Sequence, residues 1–301
     1  MTKFNNEEYK VLVCDLIGDV QYANTSYRGK ISTLRQYAEV IVRKILDINP
    51  QEEVTLGNEK IQHSIRSLSN YKMVEKAVNK IKKKGNKSTH TKFRDEVTAD
   101  EFENAMDGIF DLLSYLLINY FEEYEFGKNA KTVVAFSILP PIIRYKVLRF
   151  LNEKYPQNIA IIDKYVLAML KAYNSEFAKK WIEENKEYLL QLQAYDATLI
   201  NTITEQSPHL SALLKEMAPP NMYQLCKEKV EKVGQFILHQ GVRYSDFESA
   251  LPYYKQEEIL EDDTEEVKKF NNIMEFLYMG RKERKQLCSN IQEATTILDE
   301  I

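Results

Sequence analysis

Glycine and proline are scarce in this chain of 301 residues, which contains 9 glycines and 8 prolines. β-Sandwiches, barrels and doubly wound sheets need many tight turns, and glycine and proline are the usual residues of such turns. The scarcity therefore argues against all three architectures. Apolar residues make up 44% of the chain, which is enough to build helical cores, and this length suits two domains. The sequence predicts an all-α protein.

Cysteine and histidine are also rare, with 3 and 4 residues. Cys14, Cys226 and Cys288 are far apart and form no C-x-x-C pair, so we expect neither a disulfide framework nor a thiolate zinc site. The histidines lack the spacing of a metal site, and no dinucleotide fingerprint or complete phosphate-binding loop occurs. We therefore expect no metal and no cofactor, and a reducing cytoplasm is the expected compartment.

Long apolar runs are missing as well. The run from Ile109 to Tyr120 is interrupted by Asp111, Ser114 and Asn119, and the first ten residues are polar and acidic. A membrane span or a signal peptide needs a longer apolar stretch, so we expect no membrane association. The formal net charge of −4 gives no general attraction to nucleic acid. Any binding of nucleic acid must then depend on a local positive patch.

Apolar residues at helical spacing predict a helical bundle in the first part of the chain. The expected helices cover residues 9–21, 31–49 and 70–85. Ser32 or Thr33 is the expected cap of the second helix, and Gly85 is the expected stop of the third. Thr98 and Glu101 form a capping-box sequence before a fourth, widely apolar helix. We assign residues 1–126 to this bundle.

The remaining residues, 127–301, are expected to form a second helical domain. Successive helices and short turns are compatible with an array of helical hairpins, although no fixed period is present. The apolar run 132–139 fits either a strand or a helix. The acidic block 256–267 fits a solvated face or a docking site for a basic partner. A final amphipathic helix carries Leu287, Ile291, Ala294, Leu298 and Ile301 on one stripe.

A basic stretch lies between the third and fourth predicted helices and reads KIKKKGNKSTH over residues 80–90. The candidate nucleic-acid-binding residues are Lys80, Lys82, Lys83, Lys87, Lys92 and Arg94. Such a patch could hold a phosphate backbone, and His90, four residues after Asn86, could exchange a proton with a ribose hydroxyl. The same lysines also fit a solvated helix end, because cations are favoured there. Both interpretations stay open.

Three features in this order resemble the HEPN superfamily of small helical bundles. They are the helix over residues 34–46, the connector KKKGNKSTH, and the long helix after Thr98. The similarity covers residues 10–125, and the connector matches a branch of the superfamily that reads Gly-Asn-x-x-x-His. The resemblance implies a dimeric helical module. Active members are metal-independent ribonucleases, many of them in toxin–antitoxin and antiphage systems.

The resemblance also implies roles for individual residues. His90 matches the histidine of the family motif, and Asn86 matches its polar residue. The arginine of the motif falls on Gly85, and Lys84 or Lys83 is the nearest cation that could replace it. Lysine lacks the bidentate fork with which arginine binds phosphate.

Two hypotheses follow. In the first and preferred one, the protein is a degenerate HEPN-like module of a bacterial defence or conflict system. It assembles as a homodimer or as a hetero-oligomer with a defence-system partner, and it contacts RNA through its lysines. In the second, it is a metal-independent endoribonuclease in which His90 is the acid and base, Asn86 orients the phosphate or ribose, and Lys84 stabilises the developing charge. Whether the protein is an enzyme stays open at this point.

Overall fold

The computed structural model of the protein describes residues 3–89, 95–195, 219–256 and 264–284, with the backbone alone for residues 83–89. All regular elements in these residues are helices and no strand forms among them, which confirms the all-α prediction. In the same residues, no helix combines the length and the hydrophobicity that crossing a membrane requires.

The described helices range in length from 6 residues in α10 to 25 residues in α5. They are α1 (Asn6–Ile17), α2 (Tyr27–Ile45), α3 (Glu59–Arg66), α4 (Tyr71–Thr89), α5 (Ala99–Glu123), α6 (Ala130–Ser137), α7 (Pro141–Lys154), α8 (Ile159–Ala172), α9 (Ser175–Glu184), α10 (Lys186–Gln191), α11 (Met222–Gln240), α12 (Phe247–Gln256) and α13 (Glu265–Tyr278). A π-helical turn, Gly18–Tyr22, continues α1. The described residues divide into two compact units.

The first unit contains the described residues of the ranges 3–125 and 251–284. Its centre is α5, whose side chains are buried on almost every face, and α2 and α4 pack on α5 and on each other. An α-helix that is apolar on most faces needs neighbours on most sides, which explains its central place. The predicted capping box is present: the Thr98 hydroxyl accepts from the Glu101 backbone N–H, and the Glu101 carboxylate accepts from the Thr98 backbone N–H.

Three predicted helix boundaries were wrong, and local hydrogen bonds or propensities explain each. α1 begins earlier than expected because the Asn5 side chain accepts from the Glu7 N–H at 3.1 Å. α2 is capped by Ser26, and not by Ser32 or Thr33, since the Ser26 hydroxyl accepts from the Gly29 N–H at 3.3 Å. α4 does not stop at Gly85 but continues to Thr89. An interior glycine costs about 1 kcal/mol, which the surrounding lysines, good helix formers, offset.

Residues 251–284 belong to the first unit, whereas the predicted domains, 1–126 and 127–301, assigned them to the second. The aromatic ring of Phe270 in α13 lies 5.2 Å from that of Tyr120 in α5, measured between centroids. Phe276 lies 5.8 Å from Phe4 in an edge-to-face contact. The sequence analysis predicted no separate helix over residues 265–278, and an apolar face on a helix does not by itself specify which core the face enters.

The second unit contains the described residues between 126 and 250. Consecutive helices pack on each other from α7 to α9, and α11 packs on α8 and α9. The run 132–139, which fitted strand or helix, is mostly helix α6, whose start is capped by Asn129 through the Thr132 N–H at 3.3 Å. The final helix predicted after residue 285 lies outside the described residues, as does most of the acidic block.

Candidate functional site

Helices α4 and α5 form an antiparallel hairpin in the first unit. At one end, the Asn70 side-chain amide donates to the two carboxylate oxygens of Glu122 at 2.8 and 2.9 Å. Further along, the Lys80 ammonium donates to Asp107 at 2.6 Å and to Asp111 at 2.7 Å. Residues that come later in α4 therefore contact residues that come earlier in α5. The lysine-rich end of α4 accordingly lies at the same end of the hairpin as the first turns of α5.

Lys80, one of the predicted RNA contacts, is held by this hairpin. Its side chain is 26% exposed and both of its carboxylate partners are on α5. Burial acts to lower the pKa of Lys80, but hydrogen bonds and charges from Asp107 and Asp111 together outweigh burial and raise the pKa above its ordinary value. Lys80 thus joins α4 to α5 through two ion pairs. These ion pairs remove Lys80 from the candidate RNA contacts.

The other predicted site residues divide into three groups. Lys82 is half-buried, and its Cε lies 3.6 Å from where a β-carbon on Gly57 would be. The backbone positions of Lys83, Lys84, Asn86 and Lys87 lie in the last turns of α4. His90, Lys92 and Arg94 lie outside the described residues. Lys84 and Asn86 are positions of one continuous helix, but residues two apart on a helix do not face each other, so the helix does not bring these two positions together.

An acidic series on α5 accompanies the lysine-rich end of α4. Asp100, Glu103, Asp107 and Asp111 follow one another at intervals of three or four residues, which places them on one side of the helix. Because the hairpin is antiparallel, these turns of α5 run beside the last turns of α4. Carboxylates on the helix beside this lysine-rich segment reduce the local positive potential available to a phosphate backbone. The spacing of these acids was visible in the sequence, but their side of the hairpin was not.

A second polar cluster, which the sequence did not indicate, surrounds Lys44 at the end of α2. Its ammonium donates to the Asn6 side-chain oxygen at 2.8 Å and to the Asn272 side-chain oxygen at 2.7 Å. The same ammonium lies 4.9 Å from the ring centroid of Phe4 and 4.9 Å from that of Phe276. Two amide oxygens and two aromatic faces thus enclose one cation, and they connect the start of α1, the end of α2 and α13.

The surroundings of Lys44 lower the pKa of its ammonium. Burial lowers the pKa of Lys44 to about 8, although the charges of Glu275 and Asp47 act in the opposite direction. Glu275 also accepts from the Asn6 side-chain amide at 2.5 Å. The arrangement is suited to fixing three helices, because the ammonium binds side chains of α1 and α13 from the end of α2. Its partners lie 38 and 228 residues away in sequence, so no local pattern could have revealed it.

In the part of the chain that the structure describes, no group of three or more His, Cys, Asp or Glu side chains is arranged to hold a metal ion. Comparisons with protein-family models, with curated proteins and with solved structures found no match for this chain. Assignment of a function therefore depends on the residues of the chain and on their arrangement.

Proposed function

We propose that the first unit is a HEPN-like helical module of a bacterial antiphage or other conflict system, located in the cytoplasm. Its role is assembly and regulation, as a homodimer or as a hetero-oligomer with a defence-system partner. The observation that carries this proposal is the mutual packing of α2, α4 and α5. These three helices contain residues 34–45, residues 82–89 and the long helix after Thr98, all from the segments on which the resemblance depends, and they pack together in one unit.

A regulatory role is preferred to catalysis because of the chemistry at the end of α4. Gly85 occupies the position of the arginine in the family motif and supplies no cation. Lys80, one turn earlier, is already bound to Asp107 and Asp111. The acidic series of α5 further lowers the positive potential. RNA contacts in this proposal are weak, come from Lys82, Lys83, Lys87, Lys92 and Arg94, and serve regulation.

The second candidate is a metal-independent endoribonuclease or toxin. The continuity of α4 through Gly85 favours it, because Asn86 then lies in a regular helix that ends at Thr89, one residue before His90 in sequence. In this candidate, His90 accepts the proton of the ribose 2′-hydroxyl, whose oxygen attacks the adjacent phosphorus. The 5′-oxygen leaves with a proton returned by the protonated His90, and a cyclic phosphate forms. Asn86 orients the phosphate or ribose, and Lys84 stabilises the added negative charge.

An RNA-cleavage assay in the presence of chelator separates the two candidates. The intact chain is compared with His90→Ala and with His63→Ala, which removes an exposed histidine of α3. The regulatory proposal expects no cleavage by any of the three proteins, together with a defined oligomer in light scattering. Cleavage that His90→Ala abolishes and His63→Ala retains would establish the ribonuclease. A monomer that binds neither RNA nor a co-expressed partner would contradict both.

A further inference from the structure

The second unit contains a recess between α7, α8, α11 and the segment that follows α11. The recess is shallow and open to solvent on one side. Three cationic side chains line it: Arg144 from α7, Lys171 from α8, and Arg243 from the segment after α11. Among the described residues that line the recess, none is acidic. A concave surface with several cations and no lining carboxylate favours an anion.

Arg144 is the unusual member of this set. It is only 6% exposed, and no described group accepts a hydrogen bond from its Nε atom. Its guanidinium lies 5.7 Å from the ring centroid of Tyr244, whose hydroxyl donates to the backbone oxygen of Ser137. The aromatic face supplies partial stabilisation of the cation. It does not supply the hydrogen-bond acceptor that the Nε–H of Arg144 lacks.

A buried guanidinium in this condition lowers the stability of the folded protein. Burial of a charge costs free energy unless ion pairs and hydrogen bonds offset the loss of hydration. An apolar side chain of similar length would fill the same volume without that cost. The presence of arginine at this position is therefore better explained by a ligand than by the fold.

The rest of the lining defines the kind of ligand. Leu167 and Val233 are buried, and Phe236 and Ile237 contribute further apolar surface from α11. A guanidinium binds carboxylate and phosphate through paired hydrogen bonds, whereas the apolar wall favours a hydrocarbon or aromatic body. We propose that this recess, the Arg144 pocket, binds a small organic anion with an oxyanion head at Arg144 and an apolar body against α8 and α11.

Isothermal titration calorimetry of the intact chain with three probes tests the proposal. Octanoate offers both an anionic head and an apolar body, octanol offers the body alone, and inorganic phosphate offers the head alone. We expect octanoate to bind at least about tenfold more tightly than octanol, as a charge-assisted hydrogen bond to a buried group requires. Phosphate is expected to compete with octanoate. Equal affinity for octanoate and octanol would overturn the proposal.

Two variants of the same helix provide the matched comparison. Arg144→Met removes the buried guanidinium, and Arg149→Met makes the same substitution at a side chain that is 59% exposed and paired with Glu153. We expect Arg144→Met to lose octanoate affinity about tenfold or more, and Arg149→Met to retain it. Without ligand, the Tm of Arg144→Met should equal or exceed that of the intact chain. A structural role for Arg144 would instead lower the Tm and leave octanoate affinity unchanged.

A third variant keeps the test decisive if Arg144→Met does not fold. Lys171 lines the same pocket from the last turn of α8 and is half-buried, so that Lys171→Gln is compatible with the fold. It is expected to weaken octanoate binding severalfold, because one of three cations is removed. Octanoate affinity that is the same in Lys171→Gln as in the intact chain, with Arg144→Met unfolded, would show that the pocket does not bind anions.

Discussion

Gly108 of α5 lies against Ile81 of α4 so closely that a β-carbon on the glycine would be 2.9 Å from Ile81 Cγ1. The same β-carbon would be 3.1 Å from the backbone oxygen of Ala77. The two helices approach each other at a point where only glycine fits. This approach lies within one turn of Asp107 and Asp111, and it therefore brings both carboxylates within reach of Lys80.

Substitution of Gly108 by alanine should destabilise the protein. Alanine is the better helix former by about 1 kcal/mol, but its methyl group would displace Ile81 and press on the backbone of α4. Overpacking of a tight contact costs about 1–3 kcal/mol, so we expect Gly108→Ala to lower the free energy of unfolding by about 1 kcal/mol. Gly108→Val should lower it further. Urea denaturation followed by circular dichroism measures both.

Gly18→Ala is the matched control for this substitution. A β-carbon on Gly18 would meet nothing within 4 Å, and the residue has a helical φ of −54°. The substitution should raise the free energy of unfolding by about 0.5–1 kcal/mol, because alanine restricts the unfolded chain and favours the helix. Equal effects of the two alanines would mean that the contact between Gly108 and Ile81 is not tight in solution.

The Lys80 ion pairs should stabilise the hairpin more than an exposed ion pair does. Lys80→Met removes two charge-assisted hydrogen bonds and leaves Asp107 and Asp111 without their shared cation. We expect a decrease in the free energy of unfolding of about 1–2 kcal/mol. The comparison is Lys60→Met. The Lys60 side chain is 80% exposed, and its Nζ lies 3.5 Å from Oε2 of Glu52. That change should have little effect, because exposed pairs contribute about 0–1 kcal/mol.

The geometry requires Lys80→Met to lower the free energy of unfolding more than Lys60→Met does. If Lys80→Met proved as harmless as Lys60→Met, the Lys80 charge would be free for other partners. The RNA contacts of the first unit would then have to include it. Thermal denaturation at low and at high salt gives a further check, since salt screens the exposed pair more strongly than the partly buried one.

Helical periodicity predicted the fold class because each long helix has a continuous apolar stripe, and the capping box at Thr98 marked the start of α5 correctly. It did not locate the caps at Asn5 and Ser26, since several nearby polar residues fitted equally well. The Lys44 cluster and the Arg144 pocket were beyond prediction. Both join side chains from helices that are distant in sequence, and the packing of those helices is not encoded in any local pattern.

Lys44 should make the free energy of unfolding rise with pH between pH 8 and pH 10.5. Its pKa is about 8 in the folded protein and has an ordinary value of 10.5. Between these values the unfolded chain keeps a proton that the folded protein has released. The unfolded state then binds more protons, and the free energy of unfolding increases with pH. We expect the intact chain to gain stability relative to Lys44→Met from pH 8 to pH 10.5.

Urea titrations at several pH values measure this difference, and subtraction of the variant removes the titration of the tyrosines. Lys10→Met is the control, because Lys10 is an exposed lysine of α1 paired with Glu7 at 3.2 Å. Relative to Lys10→Met, the intact chain should show no comparable gain in the same window. A difference between intact chain and Lys44→Met that stays constant with pH would contradict the enclosure of the ammonium.

The described part of residues 251–284 belongs to the first unit, and this predicts whether fragments of the chain fold cooperatively. A fragment of residues 1–126 contains every helix of the predicted bundle but lacks Phe270 and Phe276, which are fully buried in the first unit. Their loss exposes apolar surface on α1 and α5. Removal of one large buried aromatic side chain typically costs about 3–5 kcal/mol, and a small domain is seldom stable by much more than about 5–15 kcal/mol.

We therefore expect the 1–126 fragment to unfold without a cooperative transition, in circular dichroism melts and in denaturant. Fusion of residues 251–284 to the same fragment through a flexible linker should restore cooperative unfolding, because α13 regains its place beside α5. The matched control fuses residues 251–284 with Phe270→Ser and Phe276→Ser, which keeps the length and removes the two rings. Cooperative unfolding of the 1–126 fragment alone would show that α13 is dispensable, and would restore the simpler division at residue 126.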